Sequence, residues 1–182
     1  MPAHAVPAQK TVARPRQTRL RQVVQNARPP SSRRDTPQAG GIDMLDAADA
    51  VPQDRVLVIG GQNAELLCAS LRRGCRSAIA VVGPAPLPEP ADLVLAPRVA
   101  TADQAAAIGA QARRAILAGA RHGRLAIGLI GAGALALGRA AARRLRDYGF
   151  ARARLRARAE GGILLLCDFD APAPAVRRDG KA

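Results

Sequence analysis

The sequence predicts an α/β protein with a mostly parallel sheet, helices on both faces of that sheet, and a C-terminal antiparallel β-hairpin. Two observations predict this fold. Between residues 55 and 149, short apolar runs alternate with stretches of helical periodicity, as in βα units around a parallel sheet. After residue 150, two strand-like runs are separated only by Glu160-Gly161-Gly162, and a connection that short joins antiparallel neighbours.

The first βα unit ends its strand in glycine. Arg55-Val-Leu-Val-Ile59 is a predicted strand that stops at Gly60-Gly61, and a helix is predicted over 64–73. A second strand over 77–82 ends at Gly83, before a Pro-rich linker that leaves no room for a further helix and strand. The predicted buried face of the helix consists of Ala64, Leu67, Cys68 and Leu71. Cys68 is therefore predicted to be a core residue.

The next units carry clearer helix signals. A third apolar run covers 92–96, and Thr101 followed by Gln104 has the spacing of a capping box. We therefore predict a helix over 102–118, and then a fourth strand over 124–130. The predicted buried face of this helix consists of Ile108, Ala112, Ala115 and Ile116.

The first strand of the hairpin has an arginine at every second position. Residues 151–159 alternate between arginine and apolar residues, whereas 163–167 are all apolar. Such arginines either grip phosphate groups or keep an exposed edge strand from aggregating, and the second interpretation is favoured. The arginines are Arg152, Arg154, Arg156 and Arg158.

Composition excludes several classes of protein. The 182 residues contain 28 Lys+Arg against 14 Asp+Glu, so the net charge is +14, and 48% hydrophobic residues suffice for a packed core. Aromatic residues make up only 2%, which argues against base-stacking platforms. Three cysteines without a CxxC pair and two histidines predict neither a disulfide framework nor a metal site. The cysteines therefore favour a cytoplasmic protein, and basic residues that are almost all arginine, with only Lys10 and Lys181 as lysines, favour a GC-rich bacterium.

Charge and proline content divide the chain into three parts. Residues 1–45 are predicted to be a basic, Pro-rich, disordered arm, residues 50–171 the α/β domain, and residues 172–182 a flexible tail. The arm either only improves solubility or binds nucleic acid or an acidic partner by counterion release. The arginines that would make these contacts are Arg14, Arg16, Arg19, Arg21, Arg33 and Arg34.

Over residues 54–170 this order of elements resembles the class I S-adenosylmethionine (SAM)-dependent methyltransferases, which have a Rossmann-like sheet. Arg55-Val-Leu-Val-Ile-Gly-Gly-Gln-Asn-Ala64 resembles the first cofactor loop of that family, and Ala91-Asp-Leu-Val-Leu-Ala-Pro97 its fourth strand. Arg121-His-Gly-Arg-Leu-Ala-Ile127 is similar to the approach to its fifth strand, and 143–167 resemble its last helix and hairpin.

The resemblance implies a SAM cofactor, transfer of its methyl group to an unknown acceptor, and a set of cofactor contacts. The set comprises Gly60, Gly61, Asn63, Gly83, Ala96 and Pro97. The family usually ends its second strand with an acidic residue for the ribose, whereas here Val82-Gly83-Pro84 follows. A working methyltransferase and a reduced, non-catalytic binding module whose arm contacts a partner therefore both remain open, and the catalytic residues are unknown.

A second glycine turn offers an alternative cofactor. Gly131-Ala132-Gly133, between the fourth strand and a helix that ends near Tyr148, resembles an NAD(P) dinucleotide fingerprint. Two other residues carry weaker expectations. His122 is expected in a turn without an acidic neighbour, and arginines beside Cys75 would lower the pKa of its thiol.

Overall fold

A computed structural model of the protein describes residues 44–61, 63–83, 89–119, 122–158 and 161–171. Strands and helices alternate until the final hairpin, except that no described helix lies between the second and third strands. The strands are β1 (Arg55–Ile59), β2 (Ser77–Val81), β3 (Leu93–Val99), β4 (His122–Leu129), β5 (Phe150–Ala157) and β6 (Ile163–Asp170). The helices are α1, of which 44–47 are described, α2 (Ala64–Arg72), α3 (Ala102–Ala118) and α4 (Ala134–Asp147).

The strands form one six-stranded sheet in the order β2-β1-β3-β4-β6-β5. The four strands from β2 to β4 are parallel, and β6 is antiparallel to both of its neighbours. This arrangement confirms the predicted fold class, including the antiparallel hairpin at one edge. The strand order reverses between β1 and β3, which is where open α/β sheets place their ligands.

Apolar residues on the two faces of the sheet form two cores. One core packs α3 and α4 against one face, through residues such as Ile116 and Leu145. The other packs α1 and α2 against the opposite face, through Met44, Leu45 and Leu66. Met44 and Leu45 are 1% exposed and belong to this core, so the domain includes the last two residues of the predicted arm.

The predicted buried face of α2 is wrong. Its buried residues are Leu66 and Ser70, whereas Cys68 is exposed and Leu71 is 56% exposed. Ser70 tolerates burial because its hydroxyl donates to the Leu66 carbonyl at 2.7 Å. Of the predicted face, only Leu67 packs against the core, half-buried, whereas Ala64 is exposed like Cys68 and Leu71, because α2 lies over β1 and the edge strand β2, beyond which no described element covers it.

The capping box and buried face of α3 are confirmed. The Gln104 backbone N–H donates to the Thr101 hydroxyl at 3.1 Å, and the Gln104 side chain accepts from the Ala100 backbone N–H at 3.1 Å. All four predicted buried residues are buried.

Among the described residues, no helix is long and apolar enough to cross a bilayer.

Ion pairs join the amino ends of the parallel strands. The Arg55 guanidinium donates to both carboxylate oxygens of Asp92 at 2.9 and 2.7 Å, and the Arg55 backbone N–H donates to the same carboxylate at 3.0 Å. Arg124 donates to both oxygens of Asp54 at 2.7 and 2.6 Å, and to the Ala48 carbonyl at 3.1 Å. These contacts fix β1, β3 and β4 relative to one another and to the segment after α1.

Candidate functional site

The first glycine turn lies at the carboxyl end of β1. Gly60 has a φ of +122°, a conformation that other residues rarely adopt, and its N–H donates to the Val81 carbonyl at 2.9 Å. Gly83, which also has a positive φ of +82°, follows β2 at the same edge of the sheet. The fold therefore brings the predicted glycines together beside the point where the strand order reverses.

The backbone at this turn is accessible. A Cβ atom added to Gly60, Gly61 or Gly83 would meet no atom within 4 Å among the described residues. By contrast, a Cβ on Gly128, inside β4, would lie 2.2 Å from the Pro97 carbonyl oxygen. The glycines at the carboxyl edge thus leave open space, whereas the one inside the sheet serves packing.

Asn63 lies directly before α2 and is 6% exposed. Its Nδ2 donates to the Gly60 carbonyl, while its Oδ1 is buried and has no hydrogen-bond partner among the residues that the structure describes. The Asn63 side chain does not cap the helix, so the first N–H groups of α2 stay available. A buried acceptor without a donor costs about 1–3 kcal/mol, which a ligand that donates to it would recover.

The carboxyl end of β2 carries no acidic side chain in its described part. Val82 is 84% exposed, and the Gly83 carbonyl accepts from Nε2 of Gln111, on α3, at 3.5 Å. Of the described residues at this end, none therefore offers the carboxylate that a ribose diol would bind.

Two predicted contacts lie elsewhere than expected. The strand does not stop at Ala96, because β3 extends to Val99 with a register shift against β4. Ala96 is consequently a core residue that is 1% exposed, and Pro97 is a half-buried residue within the strand. Sequence analysis missed this extension because proline usually ends a strand, whereas a bulge accommodates it here.

The second glycine turn is also open. Gly131 has a φ of +102°, and a Cβ on Gly131 or Gly133 would meet no described atom within 4 Å. The strand that follows α4, however, is β5, which is separated from β4 by β6 and is mostly exposed. A dinucleotide fold requires a buried strand in that place, so the context of this turn argues against an NAD(P) site.

The two buried thiols, Cys75 and Cys167, are not activated. Burial raises the pKa of Cys75, with the Asp54 charge as the next cause, so the prediction of a lowered pKa is wrong. Burial also raises the pKa of Cys167 to about 12. In the described part of the chain, no group of histidine, cysteine and acidic side chains is arranged to hold a metal.

A shallow cleft of about 530 Å³ opens at the other end of the sheet, beside Arg152 and Phe169. His122 begins β4 rather than lying in a turn, and its Nδ1 contacts an oxygen of Asp170 on β6. Sequence spacing could not show this contact, since antiparallel pairing joins residues 48 positions apart. Asp54 and Asp92, which also line the cleft, are already bound by arginines.

The predicted nucleic-acid contacts of the arm, from Arg14 to Arg34, lie outside the described residues, as does the tail over 172–182. Their roles stay predictions.

Several solved structures similar to this chain are SAM-dependent methyltransferases. An O-methyltransferase from Thermotoga maritima gives a TM-score of 0.55 at 10% identity, covering 75% of this chain and 67% of that one. Methyltransferase SibL gives 0.54 at 12% identity, with 74% and 55% coverage. Geranyl diphosphate methyltransferase, solved with geranyl diphosphate and sinefungin, gives 0.53 at 11% identity, with 71% and 76% coverage.

No protein-family model and no curated protein sequence matches this chain. At such low identities the structural likeness shows the fold alone. The chain therefore has the methyltransferase-like Rossmann fold that the sequence predicts, and the function must be argued from the site.

Proposed function

We propose that this protein binds SAM at the turn formed by Gly60, Gly61 and Asn63, and that the bound cofactor is a methyl donor. The observation that supports this most is the buried Asn63 Oδ1 without a donor, beside an open glycine backbone, in a methyltransferase-like fold. A ligand placed there meets a hydrogen-bond acceptor and a backbone free of side chains.

The residues present fit the amino-acid end of SAM. Its ammonium group donates hydrogen bonds, which the Asn63 Oδ1 lacks, and its carboxylate suits the uncapped N–H groups that begin α2. The positive φ of Gly60 turns the backbone so that no Cβ stands between ligand and strand. In this proposal Gly60, Gly61 and Asn63 contact the cofactor, with Gly83 at the border.

The ribose end has less support. The described end of β2 lacks an acidic side chain, so the ribose hydroxyls would rely on backbone carbonyls such as that of Gly83. A hydrogen bond to a charged acceptor contributes about 1.5–3 kcal/mol. We therefore expect SAM to bind to this site at least about tenfold more weakly than to a site with that carboxylate.

SAM supplies an activated methyl group on sulfur, and the protein has to hold it in line with an acceptor. This is mainly positioning, which the rigid strand ends can provide. The described residues at the crevice include no group that we assign as a general base, so acceptors that ionise readily are the expected substrates.

The test is isothermal titration calorimetry of the full chain with SAM, S-adenosylhomocysteine and NADH, supported by thermal shift. SAM and S-adenosylhomocysteine are expected to bind and to raise Tm by mass action. Gly61→Val is expected to lower SAM affinity at least about tenfold, because the new side chain fills the open space at the turn.

Gly133→Val is the matched control, since Gly133 is equally open but lies at the other glycine turn. It should leave SAM affinity unchanged. Binding of NADH that is lost in Gly133→Val would instead support the dinucleotide alternative. Absence of SAM binding to the folded chain would refute the proposal, and binding without methyl transfer to any acceptor would indicate a non-catalytic relative.

A further inference from the structure

The two edge strands of the sheet, β2 and β5, differ in how they are protected against pairing with another chain. β5 has an arginine at every second position, and its register shifts between Ala151 and Arg154, where Arg152 has a φ of +51°. Charged side chains and bulges are the features that keep an edge strand from pairing. β2 has no charged residue and no proline, and it pairs with β1 in unbroken register. One edge of the sheet is therefore protected and the other is not.

The backbone of β2 has hydrogen-bonding groups that face away from β1. The Val81 carbonyl accepts from the Gly60 N–H, so this carbonyl faces β1. Because these directions alternate along a strand, Ala78 and Ala80 direct their N–H and C=O groups outward. In the part of the chain that the structure describes, no strand lies beyond β2. β2 therefore offers donors and acceptors to one further strand.

One flank of α2 is also apolar and uncovered. Ala64, Leu67 and Leu71 recur at the i, i+3, i+7 spacing of a single helix face. Leu71 is 56% exposed, Ala64 is exposed and Leu67 is half-buried. We call these three residues the apolar flank of α2. A stripe of this kind normally packs against another element of structure.

The apolar flank faces the β2 edge of the sheet. On the opposite side of α2, Arg73 pairs with Asp46 of α1. The segment after α1 lies toward β4, because the Ala48 carbonyl accepts from Arg124 at 3.1 Å. α1 therefore lies on the side of α2 that faces β4, and the apolar flank faces the opposite way, beside the unprotected strand.

We propose that the β2 edge and the apolar flank of α2 form the interface of a homodimer, in which β2 pairs antiparallel with β2 of a second copy. The twofold axis is perpendicular to the sheet and passes beside Ile79, the middle residue of β2. Ala78 of one copy then exchanges backbone hydrogen bonds with Ala80 of the other. The two six-stranded sheets become one continuous sheet.

β2 is complementary to itself in this arrangement. Ser77 of one copy lies opposite Val81 of the other, and Arg76 lies opposite Val82. No charged side chain therefore faces a like charge across the new strand pair, which would destabilise it. Ile79 is 39% exposed and meets its own copy at the axis, so apolar surface is buried at the centre of the interface.

The same symmetry brings the two α2 helices together. α2 lies over β1 and β2, about half a strand spacing inside the edge. With strands about 4.8 Å apart, the axes of the two α2 helices lie about 10 Å from each other, which is a separation at which helices pack. An unrelated strand would satisfy the β2 backbone and leave the apolar flank uncovered, whereas a second copy covers both.

The test begins with the mass of the full chain in solution, measured by size-exclusion chromatography with light scattering. Salt at about 0.15 M screens the repulsion between two positively charged copies. At a protein concentration of about 100 μM the expected mass is twice the 18.9 kDa of one chain. Dilution should shift the mass toward that of the monomer, and sedimentation velocity gives the dissociation constant.

Leu71→Lys introduces a charge into the apolar flank. We expect it to weaken the dimer on the order of 100-fold, because the change enters a symmetric interface twice. The matched control is Leu117→Lys, since Leu117 is 41% exposed and is, like Leu71, the penultimate residue of its helix. The control should change the dissociation constant by less than about twofold.

Ala80→Pro tests the strand pairing separately from the helix contact. It removes an N–H group that faces away from β1, so the β1–β2 ladder should survive while the dimer weakens at least about tenfold. The far-ultraviolet circular dichroism spectrum of each variant should match that of the wild type.

A disulfide cross-link tests the register. Opposite residues in a non-hydrogen-bonded antiparallel pair have Cα atoms about 4.5 Å apart, which a disulfide can span. Ile79→Cys should therefore give a covalent dimer when diamide oxidises the two thiols, in a Cys68→Ser background that removes the exposed native thiol. Leu117→Cys in the same background is the control, and it should stay monomeric on a non-reducing gel.

Three results would overturn the proposal. A wild-type chain that stays monomeric at about 200 μM would leave the N-terminal arm or a different protein as the occupant of this edge. Equal weakening of the dimer by Leu71→Lys and Leu117→Lys would place the interface elsewhere. A wild-type dimer without the Ile79→Cys cross-link would exclude antiparallel pairing about Ile79.

Discussion

The two ends of the parallel strands are built differently. At the amino ends, Arg55–Asp92 and Arg124–Asp54 are bidentate ion pairs that join separate strands. At the carboxyl ends, the chain turns through open glycines, and a buried acceptor of Asn63 lacks a partner among the described residues. Polar groups are satisfied at one end of the sheet and left available at the other.

This difference predicts that residues at one end of the sheet determine the stability of the fold and residues at the other end determine ligand affinity. A satisfied ion pair that is mostly buried destabilises the fold when one partner is removed, whereas an unsatisfied acceptor can be replaced with little loss. We therefore expect substitutions at the amino end to change the free energy of unfolding and substitutions at the carboxyl end to change ligand affinity.

The largest effect is expected at Asp54. Its carboxylate accepts from Arg124 and from the Val51 backbone N–H at 2.8 Å, and its side chain is only 7% exposed. Asp54→Ala leaves the Arg124 guanidinium without its main partner and should lower the free energy of unfolding by about 3 kcal/mol. Urea denaturation followed by circular dichroism measures this. SAM affinity of the folded variant should not change, and a loss of affinity would contradict the separation of the two ends.

Substitution of Asp92 is expected to give the next largest loss of stability, and this loss should depend on pH. Hydrogen bonds from Arg55 hold the pKa of Asp92 below its ordinary value of 3.8. A lowered pKa in the folded state stabilises the fold above the unfolded pKa, and this contribution disappears as the pH falls through the folded value. Asp92→Asn should therefore cost about 2 kcal/mol at neutral pH.

The same comparison at acid pH is the control. The stabilities of wild type and Asp92→Asn should begin to converge below about pH 4, where Asp92 of the unfolded chain takes up a proton, and should meet once the pH has fallen through the lowered folded-state pKa. Chemical denaturation at a series of pH values gives the curve. A difference that stays constant down to pH 2 would show that the charge of Asp92 contributes nothing.

The sequence predicts the local elements of the fold but not the contacts between distant parts of the chain. β1 has the predicted bounds, and α3 begins at Ala102 with Thr101 as its N-cap, as the capping box indicates, because these signals are local. The contact of His122 with Asp170, by contrast, joins strands that are distant in the chain. The buried face of α2 was missed for a similar reason: periodicity reveals an apolar stripe but not whether a neighbouring element covers it.

The candidate site likewise has a feature that the sequence predicts and features that it does not. The glycine turn after β1 was predictable because a positive φ is a local requirement that Gly60 meets. Burial of the Asn63 Oδ1 depends on tertiary packing, so no sequence pattern predicts it. The position of Ala96 was misjudged because the length of β3 depends on its pairing with β4.

Asn63 provides the sharpest test of the carboxyl end. Asn63→Leu removes the unsatisfied Oδ1, which should stabilise the fold, together with the hydrogen bond from Nδ2 to the Gly60 carbonyl, which should destabilise it, so the net change in stability should be less than about 1 kcal/mol. SAM affinity should fall about tenfold, which corresponds to about 1.4 kcal/mol. Calorimetry and urea denaturation of the same sample measure both quantities. A variant that loses stability but keeps its SAM affinity would show that Asn63 stabilises the fold and does not contact the cofactor.

The smallest effect distinguishes two adjacent glycines. Gly60 needs its positive φ of +122°, whereas no such backbone constraint applies to Gly61, and both are open. Gly60→Ala should cost about 1 kcal/mol in unfolding free energy through backbone strain, and Gly61→Ala should lie within about 0.5 kcal/mol of wild type. Because a methyl group meets no described atom at either position, any difference in stability between the two variants reports the backbone. Equal stabilities would mean that the turn at the end of β1 relaxes freely, and a crevice that relaxes could not hold a cofactor in line for transfer.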